Sequence, residues 1–218
     1  LITYTPPPDT GLSILYQDDC LLVLDKPSGL LSVPGRGADK QDCLIHRAQA
    51  VFPDALIVHR LDMGTSGLMV LARGKAMERA LSIAFQTRQV HKRYEALVAG
   101  KLSPAQGEVN LPLITDWPNR PKQMVSFELG KPSLTRYQVM EYLPSLDATR
   151  VSLEPITGRS HQLRVHLQAL GHPILGDELY APPSIQQRAI RLLLHAADLR
   201  LPHPISGEML NIASIVPF

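Results

Sequence analysis

Apolar positions along this chain fall in short runs and alternations, each closed by Pro, Gly, Asp or Ser, a pattern that predicts many short strands and few helices. Residues 13–16 and 21–25 read as two strands about the polar turn Gln17-Asp18-Asp19, and Lys26-Pro27-Ser28-Gly29 stops the second. The chain then stays extended over 30–33 and enters the loop Pro34-Gly35-Arg36-Gly37. Asp42 is placed to cap a helix over 43–52, with Leu44, Ala48 and Val51 on one stripe and Pro53 as its stop. The run Leu68-Met69-Val70-Leu71-Ala72 is too short for anything but a buried strand. Residues 75–88 carry Met77, Ala80, Leu81, Ala84 and Phe85 at helical spacing, a stripe that suits core packing better than a ligand box.

The second half continues in the same manner. Over 92–98 the pattern alternates, with Tyr94, Ala96 and Val98 on one face and Arg93, Glu95 and Leu97 on the other. The stretch 107–131 is richer in Pro and Gly and reads as irregular around Asp116-Trp117-Pro118-Asn119-Arg120-Pro121-Lys122. Strands follow over 135–142 and 150–154, then a helix over 160–170 with Leu163, Leu167 and Leu170 on its buried stripe and Gly171 with Pro173 as its stop. The chain closes through Leu192-Leu193-Leu194, a turn at Pro202-His203-Pro204 and an extended end. Strands in adjacent hairpin-like pairs, without regular strand–helix alternation, predict an α+β fold with a mixed, mainly antiparallel central sheet flanked by helices. Residues 1–12 are an extended, Pro-rich lead, and 13–218 form one domain.

Composition narrows the class only a little. Hydrophobic residues at 44% and charged residues at 19% are ordinary globular values, which excludes a disordered or coiled-coil chain. Cys20 and Cys43 are too few for a disulfide framework, so reduced thiols in a cytoplasmic protein are expected. No signal peptide is visible and no run is long enough to span a membrane. The net charge of +2 says less than its distribution. Arg88, His91, Lys92 and Arg93 cluster without an acid, as do Arg159, His161, Arg164 and His166, and each group suits either a phosphate-binding floor or a solvated face.

Chemistry concentrates in Val58-His59-Arg60-Leu61-Asp62-Met63-Gly64-Thr65-Ser66-Gly67, beside the buried strand. Asp62 is its only carboxylate, and Arg60 with the Thr65-Ser66-Gly67 turn can hold it ionised and aimed. The same residues also suit a loop Asp that merely caps a turn. A hydrolase triad of His59, Asp62 and Ser66 lacks the strained elbow that such a Ser requires. His161, His166 and His172 do not interleave with other ligands at metal spacing, and a second carboxylate for glycoside chemistry would have to come from Asp177-Glu178. No Gly-Lys-Ser/Thr follows the Gly-rich loop, so a nucleotide-hydrolysis reading loses its main support. Trp117, beside Arg120 and Lys122, can stack on RNA or anchor its own long loop.

Six segments in order carry a resemblance. They are Asp25-Lys26-Pro27-Ser28-Gly29, the stretch from His59 to Gly67, Lys92-Arg93-Tyr94-Glu95-Ala96, Pro155 through His166, Gly171-His172-Pro173-Ile174-Leu175-Gly176-Asp177, and Leu192-Leu193-Leu194-His195-Ala196. Together they make the chain similar to the RluA-type pseudouridine synthases over nearly its whole length. The resemblance implies the pseudouridine synthase fold, isomerisation of uridine in RNA, and no cofactor or metal. It implies Asp62 as the catalytic aspartate and Tyr94 as the ring against the target base and acceptor of its C5 proton. Arg164 is implied as the basic residue paired with the aspartate, Arg60 as the side chain that replaces the flipped nucleotide, and Leu163 as the lining of the base pocket. His59, Lys92, Arg93, Arg120, Lys122, Arg159 and His161 are expected as further RNA contacts. The loop around Trp117 is similar to that of members acting on both tRNA and 23S rRNA, so stem-loops of both are the expected partners of a monomer without an S4 domain.

Overall fold

The computed structural model describes residues 4–218; the first part of the N-terminal lead, residues 1–3, lies outside the described residues. In chain order the elements are β1 (Ile14–Gln17), β2 (Leu21–Lys26), α1 (Leu44–Val51), β3 (Ala55–Ile57), β4 (Ser66–Arg73), α2 (Gly74–Gln86), β5 (His91–Ala99), β6 (Gln106–Asn110), β7 (Leu113–Thr115) and β8 (Gln123–Val125). There follow β9 (Leu134–Leu143), β10 (Ala148–Pro155), α3 (Gln162–Ala169), α4 (Pro183–Gln186), β11 (Leu194–Pro202) and β12 (Met209–Ala213). They form two compact units, one made by residues up to Lys92 with His195–Pro217 and the other by Arg93–Leu194 with Phe218.

The first unit is built on β4. Its run Gly67 to Ala72 is buried throughout because both edges and both faces are covered. β2 pairs antiparallel along one edge, from Leu21 opposite Ala72 to Lys26 opposite Gly67. β3 pairs antiparallel along the other edge, and β11 runs parallel beside its start, with His195 opposite Ser66 and Ala196 opposite Gly67. Gly67 sits at φ 109°, and a Cβ there would collide with the backbone of Ala196, so only glycine allows this approach. Buried Leu and Met side chains on β2 and β4 stabilise by about 1.5–3 kcal/mol each. α2 packs on β3 and β4, and α1 on β3.

In the second unit β5, β10, β9 and β6 follow one another antiparallel. The expected alternation on β5 holds, and both faces are covered. Ala96 and Val98 join Leu153, Leu163, Leu167 and Ile174 on one side, while Leu97 and Ala99 join Ala148 and Leu175 on the other.

Several local expectations need correction. Asp42 does not cap α1; its carboxylate takes two hydrogen bonds from Arg47, both at 2.7 Å. α1 buries Leu44, Ile45 and Ala48 and leaves Val51 in solvent, and Leu170 likewise lies exposed just past α3. Ser66 and Gly67 belong to β4 rather than to the turn, which is closed earlier by the Thr65 amide on the Asp62 carbonyl at 3.1 Å. The irregular centre over 116–122 is the loop of a β7–β8 hairpin, but the stretch around it also holds regular strands, β6 and the two hairpin arms, whose three residues each are too short to show a period. Leu194 begins a strand that runs on to Pro202, where Asp198 and Arg200 break the apolar run but Leu199 and Leu201 keep the alternation.

Candidate active site

The loop between β3 and β4, residues 58–65, is held almost entirely through its main chain. Lys26 is completely buried at the end of β2, and its ammonium donates to the carbonyls of Leu30 at 2.7 Å, Pro27 at 2.9 Å and Met63 at 3.1 Å. The amide of Gly29 reaches the same Met63 carbonyl at 2.8 Å, and Ser28 Oγ donates to the Gly64 carbonyl at 2.7 Å. Ser32 Oγ donates to the Leu61 carbonyl at 2.6 Å and accepts the Leu61 amide at 3.1 Å. A buried ammonium that lost these carbonyls would face the full desolvation cost, so the brace is rigid. Asp62 stands at its centre, half-buried, and Arg60 is exposed two residues before it. The segment from Lys26 to Ser32, which the residue pattern reads as a strand stop and an extended piece, is thus what fixes the loop. The signal for it is a lysine that closes a strand whose first four residues are apolar.

His59, expected among the RNA contacts, has a bracing task in the fold. Its Nε2 accepts the Val70 amide at 2.9 Å and its ring stacks on Phe85 with centroids 4.6 Å apart. Burial, with a smaller contribution from the Lys92 charge, pushes its pKa from 6.5 down to about 3. The unfolded chain therefore takes up a proton below about pH 6.5 that the folded chain refuses. The contribution of this ring to stability is full above that pH and is lost as pH falls toward 3, by at most about 1.4 kcal/mol per unit. Urea midpoints measured between pH 7.5 and 5 should fall for the parent chain and fall less for His59→Phe; parallel profiles would contradict this role.

Ser66 has a histidine partner, but it is His195 and not His59. Ser66 Oγ lies 2.8 Å from His195 Nδ1, His195 Nε2 lies 2.9 Å from Ser214 Oγ, and Ser214 donates to Asp25 at 2.6 Å. Ser66 and His195 are 3% and 1% exposed, so the chain ties β2, β4 and β11 together and offers no substrate a nucleophile. Asp18, Cys20 and His203 are the one group among the described residues with potential metal-ligand atoms within 4.8 Å of one another. His203 Nδ1 accepts the amides of Ile205 and Ser206, so Nε2 carries the proton and donates to Asp18 at 2.9 Å. A ring held in that tautomer has no lone pair left for a metal.

In the second unit Tyr94 on β5 and Leu163 on α3 share one cluster, with Tyr94 partly buried against it. Arg164 is 6% exposed, and its Nε and Nη2 grip Asp177 at 2.8 and 2.7 Å. Asp177 is fully buried, and its Oδ1 also accepts the amides of Leu179 at 2.9 Å and Tyr180 at 3.1 Å. Asp177 therefore supplies no second carboxylate for glycoside chemistry; it is the anchor of Arg164. Spacing could not assign it, although Gly176-Asp177 closes one of the segments that carry the resemblance.

The two basic clusters are not continuous floors. Arg88 and His91 are exposed, but Lys92 is half-buried with its pKa lowered by desolvation, and its Nζ is 6.0 Å from the Phe85 ring centroid. Arg93 Nη1 pairs with Glu95 at 2.7 Å. In the other cluster Arg164 and His166 are core residues, with His166 held between Thr135 Oγ1 at 2.9 Å and the Leu111 carbonyl at 3.0 Å and its pKa lowered, chiefly by burial. Arg159 remains exposed and His161 half-exposed. Trp117 does not anchor its loop, since it is 65% exposed with the Arg120 guanidinium 4.6 Å from its ring centroid. The loop is closed by its own bonds, with Asp116 donating its amide to Lys122 and Lys122 its amide to Asn119. An indole and guanidinium so displayed suit base stacking and phosphate binding.

Residues 20–169 match the family model described as RNA pseudouridylate synthase. The chain is 54% identical over 215 residues to the dual-specificity RNA pseudouridine synthase RluA of Escherichia coli K12, covering 99% of this chain and 98% of that one. It is 51% identical to the protein of the same name from Pasteurella multocida, over 98% of this chain and 97% of that one. Among solved structures, human RNA pseudouridylate synthase domain containing 1 superposes with a TM-score of 0.82 at 31% identity, covering 98% of this chain and 87% of that chain.

Proposed function

Since the chain belongs to the RNA pseudouridylate synthase family and is an enzyme that isomerises uridine in RNA to pseudouridine, we propose that it acts on an anticodon-loop uridine of tRNA and a hairpin-loop uridine of 23S rRNA, with Asp62 as nucleophile. The observation that carries this reading is the main-chain brace around Asp62, which spends a completely buried lysine and two serines on one short exposed loop. Two-RNA specificity is supported by the dual-specificity name that relatives above 50% identity bear.

Isomerisation breaks the bond from N1 to C1′, turns the base and joins C5 to C1′, and the C5 proton passes to N1 or solvent. No atom is gained or lost, and the reaction calls for no cofactor. A carboxylate added to base or sugar splits one hard step into two easier ones. In this reading Tyr94 lies against the base and takes the C5 proton, Arg164 favours the ionised carboxylate, and Leu163 lines the pocket. The uridine must leave its stack at a cost of a few kcal/mol, which Arg60 offsets by filling the vacated space. Arg120, Lys122, Arg159 and His161 bind the backbone, with Lys92 and Arg93 contributing less because burial and Glu95 already engage them.

We treat 13–218 as one catalytic domain because the family match runs through both compact units. Among the described residues no helix is long and apolar enough to cross a membrane, and Cys20 and Cys43 are free thiols. We place the protein in the cytoplasm as a monomer. Incubating it with total RNA from a strain lacking the gene, then mapping pseudouridines, should give new sites in a tRNA anticodon arm and in 23S rRNA. Modification of only one RNA would remove the dual-specificity reading, and modification of none would remove the function.

A further inference from the structure

One buried aromatic residue has no task in this scheme. Tyr180 is 8% exposed and packs with Leu113 of β7 and Val165 of α3, with Val125 of β8 against the same cluster. The Arg164 guanidinium carbon lies 5.1 Å from its ring centroid. Its hydroxyl accepts the amide of Gln123 at 2.8 Å and lies 2.6 Å from His161 Nδ1. Gln123 is the first residue of β8, directly after the loop that displays Trp117, Arg120 and Lys122, and Thr115 Oγ1 donates to its side chain at 3.3 Å. One side chain thus meets the guanidinium with its face and the base of the hairpin with its hydroxyl.

We infer that Tyr180 is a positioning residue that couples the β7–β8 hairpin to Arg164, so that the seating of the hairpin loop on RNA and the placement of the guanidinium are set together. This rests on the reading of Arg164 as the catalytic cation and of the hairpin as an RNA contact. Close-packed, hydrogen-bonded groups have discrete arrangements, so a shift of β8 reaches Arg164 through the ring instead of being absorbed. His161 links the same hydroxyl to the start of α3. Its backbone stands at φ 53°, a left-handed conformation uncommon outside glycine, and its side chain is engaged by Tyr180. Asp177 fixes the other end, since one of its oxygens accepts both the Tyr180 amide and Arg164 Nη2.

The test is a double-mutant cycle in the full chain on a synthetic tRNA anticodon stem-loop. Tyr180→Phe keeps the ring and removes both hydroxyl contacts, and Trp117→Ala removes the indole that the loop presents to RNA while leaving the loop's backbone bonds in place. Coupling predicts that Tyr180→Phe slows single-turnover pseudouridine formation at saturating RNA by roughly 3- to 10-fold with Kd within threefold. The combined variant should fall short of the product of the single effects by about threefold or more. Hydrogen exchange at the Gln123 amide should speed up in Tyr180→Phe, a readout that stands even if larger replacements fail to fold. An unchanged rate, or effects that multiply within about twofold, would reduce Tyr180 to core packing while leaving the functional reading intact. A parent chain that converts no uridine would overturn that reading, and the coupling with it.

Discussion

Replacing Asp62 with Asn should abolish pseudouridine formation, lowering the single-turnover rate by about 10⁴-fold or more, while RNA affinity should stay within about tenfold. The amide keeps the size of the side chain and leaves untouched the bonds that hold the loop, because Lys26, Ser28, Gly29 and Ser32 all bind main-chain atoms of residues 61, 63 and 64. Loss of activity in this variant therefore isolates the carboxylate from the fold around it. Turnover above a hundredth of the parent's would sink the nucleophile assignment. Tyr94→Phe, assayed beside it, keeps the ring against the Leu163 cluster and removes only the hydroxyl. Unchanged activity there would show that some other group takes the C5 proton.

The second large effect is on stability. Asp177→Ala leaves the Arg164 guanidinium buried without its bidentate partner and strips the amides of Leu179 and Tyr180 of their acceptor. Removing one partner of a buried pair costs about 3–5 kcal/mol, a large share of a typical domain's total. For a chain of this size the melting temperature should drop by roughly 10 °C. Asp177→Asn keeps an oxygen for the two amides and should lose less. Replacing both Arg164 and Asp177 with Leu should recover part of the deficit, since no unpaired charge remains. A melting temperature for Asp177→Ala within about 2 °C of the parent's would contradict the anchor role.

The fold was legible wherever burial leaves a mark on residue type. The run from Leu68 to Ala72 is buried on both faces and so reads as unbroken apolar sequence, and α2 keeps a helical stripe because only one side packs. β7 and β8 were not legible, since a strand of three residues has no period. The basic clusters misled for a related reason. Charge is visible in sequence but its burial is not, and Arg164 and His166 proved to be core residues while Arg159 stayed outside. Asp62 could be singled out from its neighbours, whereas Asp177 and Tyr180 could not be tied to Arg164 before the chain had folded. Gly171 and Pro173 announce the end of α3, but no local pattern says that the segment after them folds back onto Arg164.

The brace around Asp62 also bears on how such a loop can change over time. Peptide groups are common to every residue, so a loop held by its carbonyls and amides leaves its outward side chains unconscripted. Met63 accepts two hydrogen bonds through its carbonyl while its side chain is 36% exposed. Substitutions at 63 should therefore leave undisturbed the aim of the carboxylate next to it.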